Sequence, residues 1–189
     1  NLLLLDEEMR PLTNIINWQD QRPTNEWETV LKGLDDDTIY KTVGWGFTHN
    51  SFPLAQLCRI KKHTPQLLEQ SAVICMSTED LYYKLTGKWG ISPSAGTPFY
   101  LIDQVSGAYS KPILHALGIA EEKLPPVCPC GSVLGYVQED MAEICGLKPG
   151  TPIVLGSFDH PSAARGVGVL EVATIILSSL LGIFGVAAG

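Results

Sequence analysis

Hydrophobic positions alternate along the chain between short unbroken runs and stretches of helical period. "NLLLLDEEMRPLTNIINWQDQR" opens on an apolar run, Leu2 to Leu5, crosses an acidic turn, and enters a second apolar stretch, Asn14 to Trp18, that ends in polar residues. Two strands paired as a hairpin are expected there. Residues 25 to 40 place Trp27, Val30, Leu31 and Leu34 at helical spacing behind Thr24 or Asn25 as cap, which predicts a helix followed by an acidic turn. The loop "TVGWGFTHNSFP" follows, with two glycines and a proline among aromatic and polar side chains. Such a loop suits a site, and equally a plain connection. Leu54 to Gln70 reads as a helix interrupted near Pro65, and "AVICM" as a short strand. "STEDLYYKLTG" reads as a helix with Ser77 as N-cap, Asp80 at the capping-box spacing, an apolar face of Leu81, Tyr82 and Leu85, and Gly87 as terminator. A helix closed by Gly118, a proline-rich loop into the strand of "GSVLGYV", a helix stopped at Gly146, a Pro-Gly turn and the strand of "TPIVLGS" complete the series.

Strands and helices are mixed throughout, so the fold class is α/β. The 189 residues suffice for one domain with a real core, or one domain and a piece of another, and contain no internal repeat. A net charge of -7, with basic residues scattered and Lys61-Lys62 the one adjacent pair, argues against nucleic acid or an anionic membrane as partner. It leaves room for a small anionic substrate held by local donors. Five cysteines in irregular spacing fit a reducing compartment, and a cytoplasmic location is expected. The "CPC" of residues 128 to 130 falls short of the four ligands of a structural zinc site, so no metal is assigned to it. The four-leucine run at the start has no basic flank and does not read as a signal peptide. The last 18 residues, "VATIILSSLLGIFGVAAG", are uncharged and reach the lower length limit of a membrane span. Without flanking Lys or Arg they read equally well as a buried strand and a glycine-rich turn.

Candidate chemistry concentrates in "TPIVLGSFDHPSAARGVG", where an apolar strand ends and Asp159 begins a segment of small residues. Open α/β sheets bind ligands beyond the carboxyl ends of their strands. Asp159 also suits a helix start, with Pro161 in the first turn and the helix dipole favouring an anion. The two readings are compatible, because a carboxylate at a helix N-terminus remains able to orient a substrate hydroxyl and take its proton. The cluster Trp18, Gln19, Asp20 and Arg22, at the end of another predicted strand, is a further candidate, or else a surface turn with an Asp-Arg pair worth little. His49 and Asn50 offer sugar-type hydrogen-bond partners beside aromatic rings, or belong to an ordinary loop. No Ser-His-Asp order, HExxH pair or Walker-type loop is present, so those chemistries have no warrant.

Several segments in order resemble the FGGY family of carbohydrate kinases, xylulokinase and glycerol kinase among its members. They are "LLLLDEEMRPLTNIINWQDQR", "LAQLCRIKKHTPQLLEQSAVICMSTEDLYYKLTG", "LGIAEEKLPPVCPCGSVLGYV" and "GLKPGTPIVLGSFDHPSAARGVG", which together cover most of residues 2 to 170. The resemblance implies a ribonuclease-H-like, actin-like ATPase domain: a mixed sheet with flanking helices, in a two-domain protein with its active site in the cleft. It implies transfer of the ATP γ-phosphoryl group, with Mg²⁺, to a hydroxyl of a small sugar or polyol. Asp159 matches the family's general base, His160 follows it where a sugar contact is expected, and His49 and Asn50 fall in a loop that tends to face the sugar. Residues 1–171 are then the sugar-binding domain without its first segment, and residues 172–189 the start of the second domain or an atypical apolar tail. The family's Asp-x-Gly-Thr phosphate hairpin is not in this chain, and Leu180-Leu181-Gly182 stands where a Gly-Thr-Ser turn is expected. ATP and Mg²⁺ are therefore expected to be held mainly by parts outside the chain, and the chain alone to be inactive. A non-catalytic carbohydrate-binding or interaction domain that keeps the fold is the alternative. The sugar is not identified by the sequence, and assembly is open, with a homodimer as one candidate.

Overall fold

The run Leu2–Leu5 carries no polar position because its strand is covered on both faces. In the computed structural model, which describes residues 1–45 and 50–167, β1 (Leu3–Leu5) pairs antiparallel with β2 (Val73–Cys75), Leu4 opposite Ile74. Leu2, Leu4, Ile74 and Met76 face the main core, while Leu3, Leu5, Val73 and Cys75 form a second cluster with Met9, Ala72 and Trp89. A strand buried on both sides has no reason to alternate. The expected hairpin partner, Asn14 to Trp18, is reduced to an isolated bridge between Ile16 and Leu2. Asn17 ends it by accepting the Gln19 N–H on its side-chain oxygen at 2.9 Å, which turns the chain away.

The helix expected through Trp27 to Leu34 is the short α1 (Glu26–Val30), and the acidic turn expected after it opens a second helix, α2 (Asp36–Val43). Gly33, at φ +93°, breaks the first, and Asp35 caps the second by accepting the Thr38 N–H at 2.8 Å. The acidic turn is thus a helix start. Neither Thr24 nor Asn25 caps α1 through its side chain; the buried Glu26 carboxylate accepts both of their N–H groups and meets His63 Nε2 at 3.1 Å. Burial alone would raise Glu26, but these donors hold it at about 2.

Helix α3 (Pro53–His63) is buried through most of its length, with Leu54, Leu57, Cys58 and Ile60 in the main core. It stops before Pro65, and α4 (Gln66–Gln70) follows. Phe99, Tyr100, Leu101 and Ile102 complete that core with α6 (Lys111–Leu117). A small ribbon of β3 (Ile102–Asp103) and β4 (Ala108–Tyr109) leads into α6. Helix α5 (Ser77–Thr86) carries a second layer, in which β5 (Val133–Tyr136) pairs antiparallel with β6 (Pro152–Val154) and α7 (Glu139–Cys145) joins them. Helices α5, α6 and α7 end at Gly87, Gly118 and Gly146, as their sequences predict. The class is α/β; among the described residues the strands form three separate antiparallel pairs rather than one mixed sheet, with a parallel bridge from Ile91 to Val127. No helix among these residues is long and apolar enough to cross a membrane, and residues 172–189 lie outside them.

The α5–β5 contact needs a missing side chain. A Cβ on Gly135 would stand 2.9 Å from Thr86 Cβ, and neither atom has a free rotor to move it away. Gly135→Ala should therefore destabilise the protein by about 1–3 kcal/mol, read as a lower urea midpoint at unchanged slope. An unchanged midpoint would show that this layer is loosely seated.

Candidate active site

Strand β6 delivers the chain to its functional end through three fixed points. Leu155 is buried, its N–H donating to Ser132 O and its carbonyl accepting from Gly131 N. One residue on, the buried Ser92 hydroxyl donates to the Gly156 carbonyl at 2.6 Å, while accepting the Ala95 N–H at 3.0 Å. The Phe158 N–H then donates to Ser94 Oγ at 3.3 Å. The turn of residues 92 to 95 thus grips the backbone on either side of Ser157. Phe158 adds an apolar hold, its ring edge-on to Trp45 at 5.6 Å within a group that includes Phe52 and Tyr100.

Helix α8 (Asp159–Gly166) starts at that hold. Asp159 is its first residue rather than its cap, which is Phe158. The Asp159 side chain is 76% exposed, with Oδ1 accepting its neighbour's N–H, that of His160, at 2.8 Å. It stands in the wall of a cavity of about 480 Å³. Trp18, Phe52, Tyr82, Glu79 and the Gly156–Asp159 turn line this cavity with it.

Two of the other walls have definable supports. Buried Gln56 donates to the carbonyls of Asp20 at 2.8 Å and Asn50 at 3.3 Å, tying the Trp18 turn to the loop before α3. Trp18 is left 67% exposed with its ring in the cavity wall. Helix α5 supplies the floor. Its N-cap is Met76, one residue earlier than the sequence pattern suggests, so the capping carboxylate is Glu79, which accepts the Met76 N–H at 2.9 Å. Asp80 instead pairs with Lys84 at 2.7 Å. Ser77 is engaged by Asn1, whose side chain accepts its N–H and donates to its hydroxyl. Glu79 is fully buried, and burial pushes its carboxyl up to about 7.

Of Asp159, His160 and Asn50, the predicted site residues that are described, Asp159 alone lines the cavity. The His160 ring stacks on Phe158 at 5.4 Å, outside the cavity wall. Asn50 is also outside it, its Oδ1 buried without a partner, although the next residue, Ser51, is in the wall. His49 falls outside the described residues. Trp18, which the sequence leaves between a site and a surface turn, is in the wall, as is Glu79, which a capping frame starting at Ser77 hides. A larger cavity of about 1060 Å³ opens on the other face of the β1–β2 pair, between Trp89, Tyr109 and Leu124, and shares no residue with the first. Among the described residues there is no group of three His, Cys, Asp or Glu side chains that could hold a metal ion.

Comparison with solved structures places the fold in the actin-like ATPase class. Xylulose kinase from Rhodospirillum rubrum superposes with a TM-score of 0.80 at 26% identity, over 90% of this chain and 35% of its own. Gluconate kinase from Lactobacillus acidophilus shares the fold, with a TM-score of 0.73 at 21% identity, over 85% of this chain and 32% of its own. The model of the FGGY family of carbohydrate kinases, N-terminal domain, matches residues 1–166, and the chain belongs to that family. Autoinducer-2 kinase of Escherichia coli (strain K12) is 30% identical over 152 residues, 80% of this chain and 28% of that protein. The chain therefore spans about a third of the length of such relatives.

If the Ser92 hydroxyl holds the turn, Ser92→Ala leaves the Gly156 carbonyl and the Ala95 N–H short of a partner. The expected loss is about 1–3 kcal/mol of stability. Amide exchange in the full-length protein should quicken at Phe158 and His160 more than at Leu4 or Ile74. Uniform quickening would mean that Ser92 supports the whole fold and not this turn.

Proposed function

We propose that this chain is the sugar-binding part of an ATP-dependent carbohydrate kinase, residues 1–171 forming the domain and residues 172–189 opening the next. Asp159 is its general base. The observation that carries the reading is the placement of Asp159: an exposed carboxylate, on a backbone fixed at Gly156 and Phe158, in the wall of a cavity that also presents an indole ring. A ketose or polyol would lay a C–H face on Trp18 and turn one hydroxyl to Asp159. Phosphoryl transfer asks little covalent chemistry of a protein. It asks for the acceptor oxygen to be positioned and for its proton to be taken as the new P–O bond forms, and a carboxylate within hydrogen-bond reach supplies both.

ATP is the phosphoryl donor expected of the family. Its phosphates and any Mg²⁺ are assigned to regions beyond the described residues, and no step is attributed here to the metal. His160 is retained as a sugar contact from the cavity rim, with His49 and Asn50 as further contacts from their loop. A cytoplasmic setting is consistent with the free thiols, two of which, Cys58 and Cys75, are buried and raised by that burial. A homodimer belongs to the same proposal and is read by sizing the full-length protein.

The test is Asp159→Asn in the full-length protein. The amide preserves shape and the His160 N–H contact but accepts no proton. Sugar-dependent ADP release should fall about 10²–10⁴-fold in kcat, with sugar affinity changed only a few-fold. A rate near the parental value would remove Asp159 from the base role, and a parent with no sugar-dependent turnover would favour the non-catalytic binding domain.

A further inference from the structure

The stretch Cys128-Pro129-Cys130 lines no part of the Asp159 cavity, yet its turn is bonded to both sides of the link between Ser92 and Gly156. The Cys128 N–H donates to the Ile91 carbonyl at 2.9 Å, one residue before Ser92. The Gly131 N–H donates to the Leu155 carbonyl at 2.8 Å, one residue before Gly156. Between these points the chain turns tightly, the Ser132 N–H closing on the Pro129 carbonyl at 3.2 Å with Gly131 at φ +83°. Both cysteines are free thiols, weak donors to separate carbonyls: Cys128 Sγ to Pro126 at 3.6 Å and Cys130 Sγ to Leu155 at 3.8 Å. Cysteines two apart in sequence have Cα atoms about 5–7 Å from each other, the separation that a disulfide spans.

We propose that Cys128 and Cys130 are a thiol–disulfide switch whose closure loosens the strand end that carries Asp159. With oxidised glutathione as the oxidant, one cysteine thiolate attacks the glutathione disulfide and expels a glutathione thiolate. The second cysteine thiolate then displaces the other glutathione. Two cysteine thiols become one S–S bond, glutathione disulfide is reduced to two thiols, and the two cysteine protons pass to them. A disulfide sulfur has no S–H, so closure takes both donors from their carbonyls, and it draws the sulfurs to about 2.05 Å. Pro129 cannot absorb the change, because its ring fixes φ at about −65°. The adjustment falls on Cys130 and Gly131, and so on the bond from Gly131 to Leu155. A strained disulfide opens readily to reductant, which makes the closed state reversible. The buried thiols are poor rivals for the oxidant, since burial pushes Cys58 up to about 12 and raises Cys75 as well. The consequence for catalysis rests on the reading of Asp159 as base; the switch does not.

The experiment compares the full-length protein in excess reduced and excess oxidised glutathione, by peptide mass mapping and amide exchange. Oxidised wild type should give a peptide over residues 128–130 lighter by two hydrogens. Exchange over residues 153–160 should quicken about fivefold or more, with Leu4 and Ile74 unmoved, and dithiothreitol should reverse both changes. Cys128→Ser, whose thiol bonds Pro126 and not Leu155, should form no such disulfide and show less quickening. Thiols at 128 and 130 that stay free, or that carry separate glutathione caps, overturn the proposal. A disulfide that leaves residues 153–160 unmoved, or equal quickening in Cys128→Ser, also overturns it. Sugar-dependent ADP release should fall about threefold or more on closure, and an unchanged rate would overturn the link to Asp159. A reduced parent without turnover overturns the kinase reading instead, and the mass and exchange results still decide the switch.

Discussion

The hydrogen bond from Ser92 Oγ to the Gly156 carbonyl joins residues 64 apart in sequence and is the constraint on which the site depends. It links the turn after α5 to the end of β6, and everything beyond Gly156 inherits its position from that link. Helix α8 buries none of its own residues, so packing does not place it. What aims Asp159 is backbone held at Gly156 and Phe158, with the Phe158 ring set among Trp45, Phe52 and Tyr100. The Asp159 carboxylate is therefore exposed at its tip and fixed at its base, as the proposed role of meeting a substrate from one side of the cavity asks.

The rest of the cavity depends on the main core. Helix α3 sits deep in it and offers Gln56, whose amide gathers the Trp18 turn and the loop of residues 50 to 52. The β1–β2 pair, buried on both faces, sets the start of α5 and with it Glu79. Three parts of the chain, far apart in sequence, converge on one space because each is tied to a rigid element next to it. Such convergence allows a small site to read several substrate hydroxyls.

Much of this was legible in the residues. Apolar runs and terminating glycines located β1, β2, α5, α6, α7 and β6, since these signals are local and tertiary context did not overrule them. Asp159 was legible because a strand end, an acid and a small-residue helix coincide. The failures share one cause. The full strand over Asn14 to Trp18, the acidic turn after the first helix and the Ser77 cap were all drawn from local pattern. An Asx turn at Asn17, the Asp35 cap and the position of Met76 at the end of β2 decided otherwise. Glu79 was lost with the cap, because burial leaves no mark on sequence. Trp18 stayed ambiguous because an exposed tryptophan in a polar turn looks like surface until the opposite wall is known.

The central claim is that the acceptor sugar sits between Trp18 and Asp159. A crystal structure of the full-length protein with a neutral sugar that it binds and a non-hydrolysable ATP analogue tests it most directly. The account predicts one sugar hydroxyl within about 2.6–3.2 Å of an Asp159 carboxylate oxygen and directed at the γ-phosphate. Sugar ordered instead in the cavity beside Trp89, or seated with no hydroxyl within reach of Asp159, would contradict it.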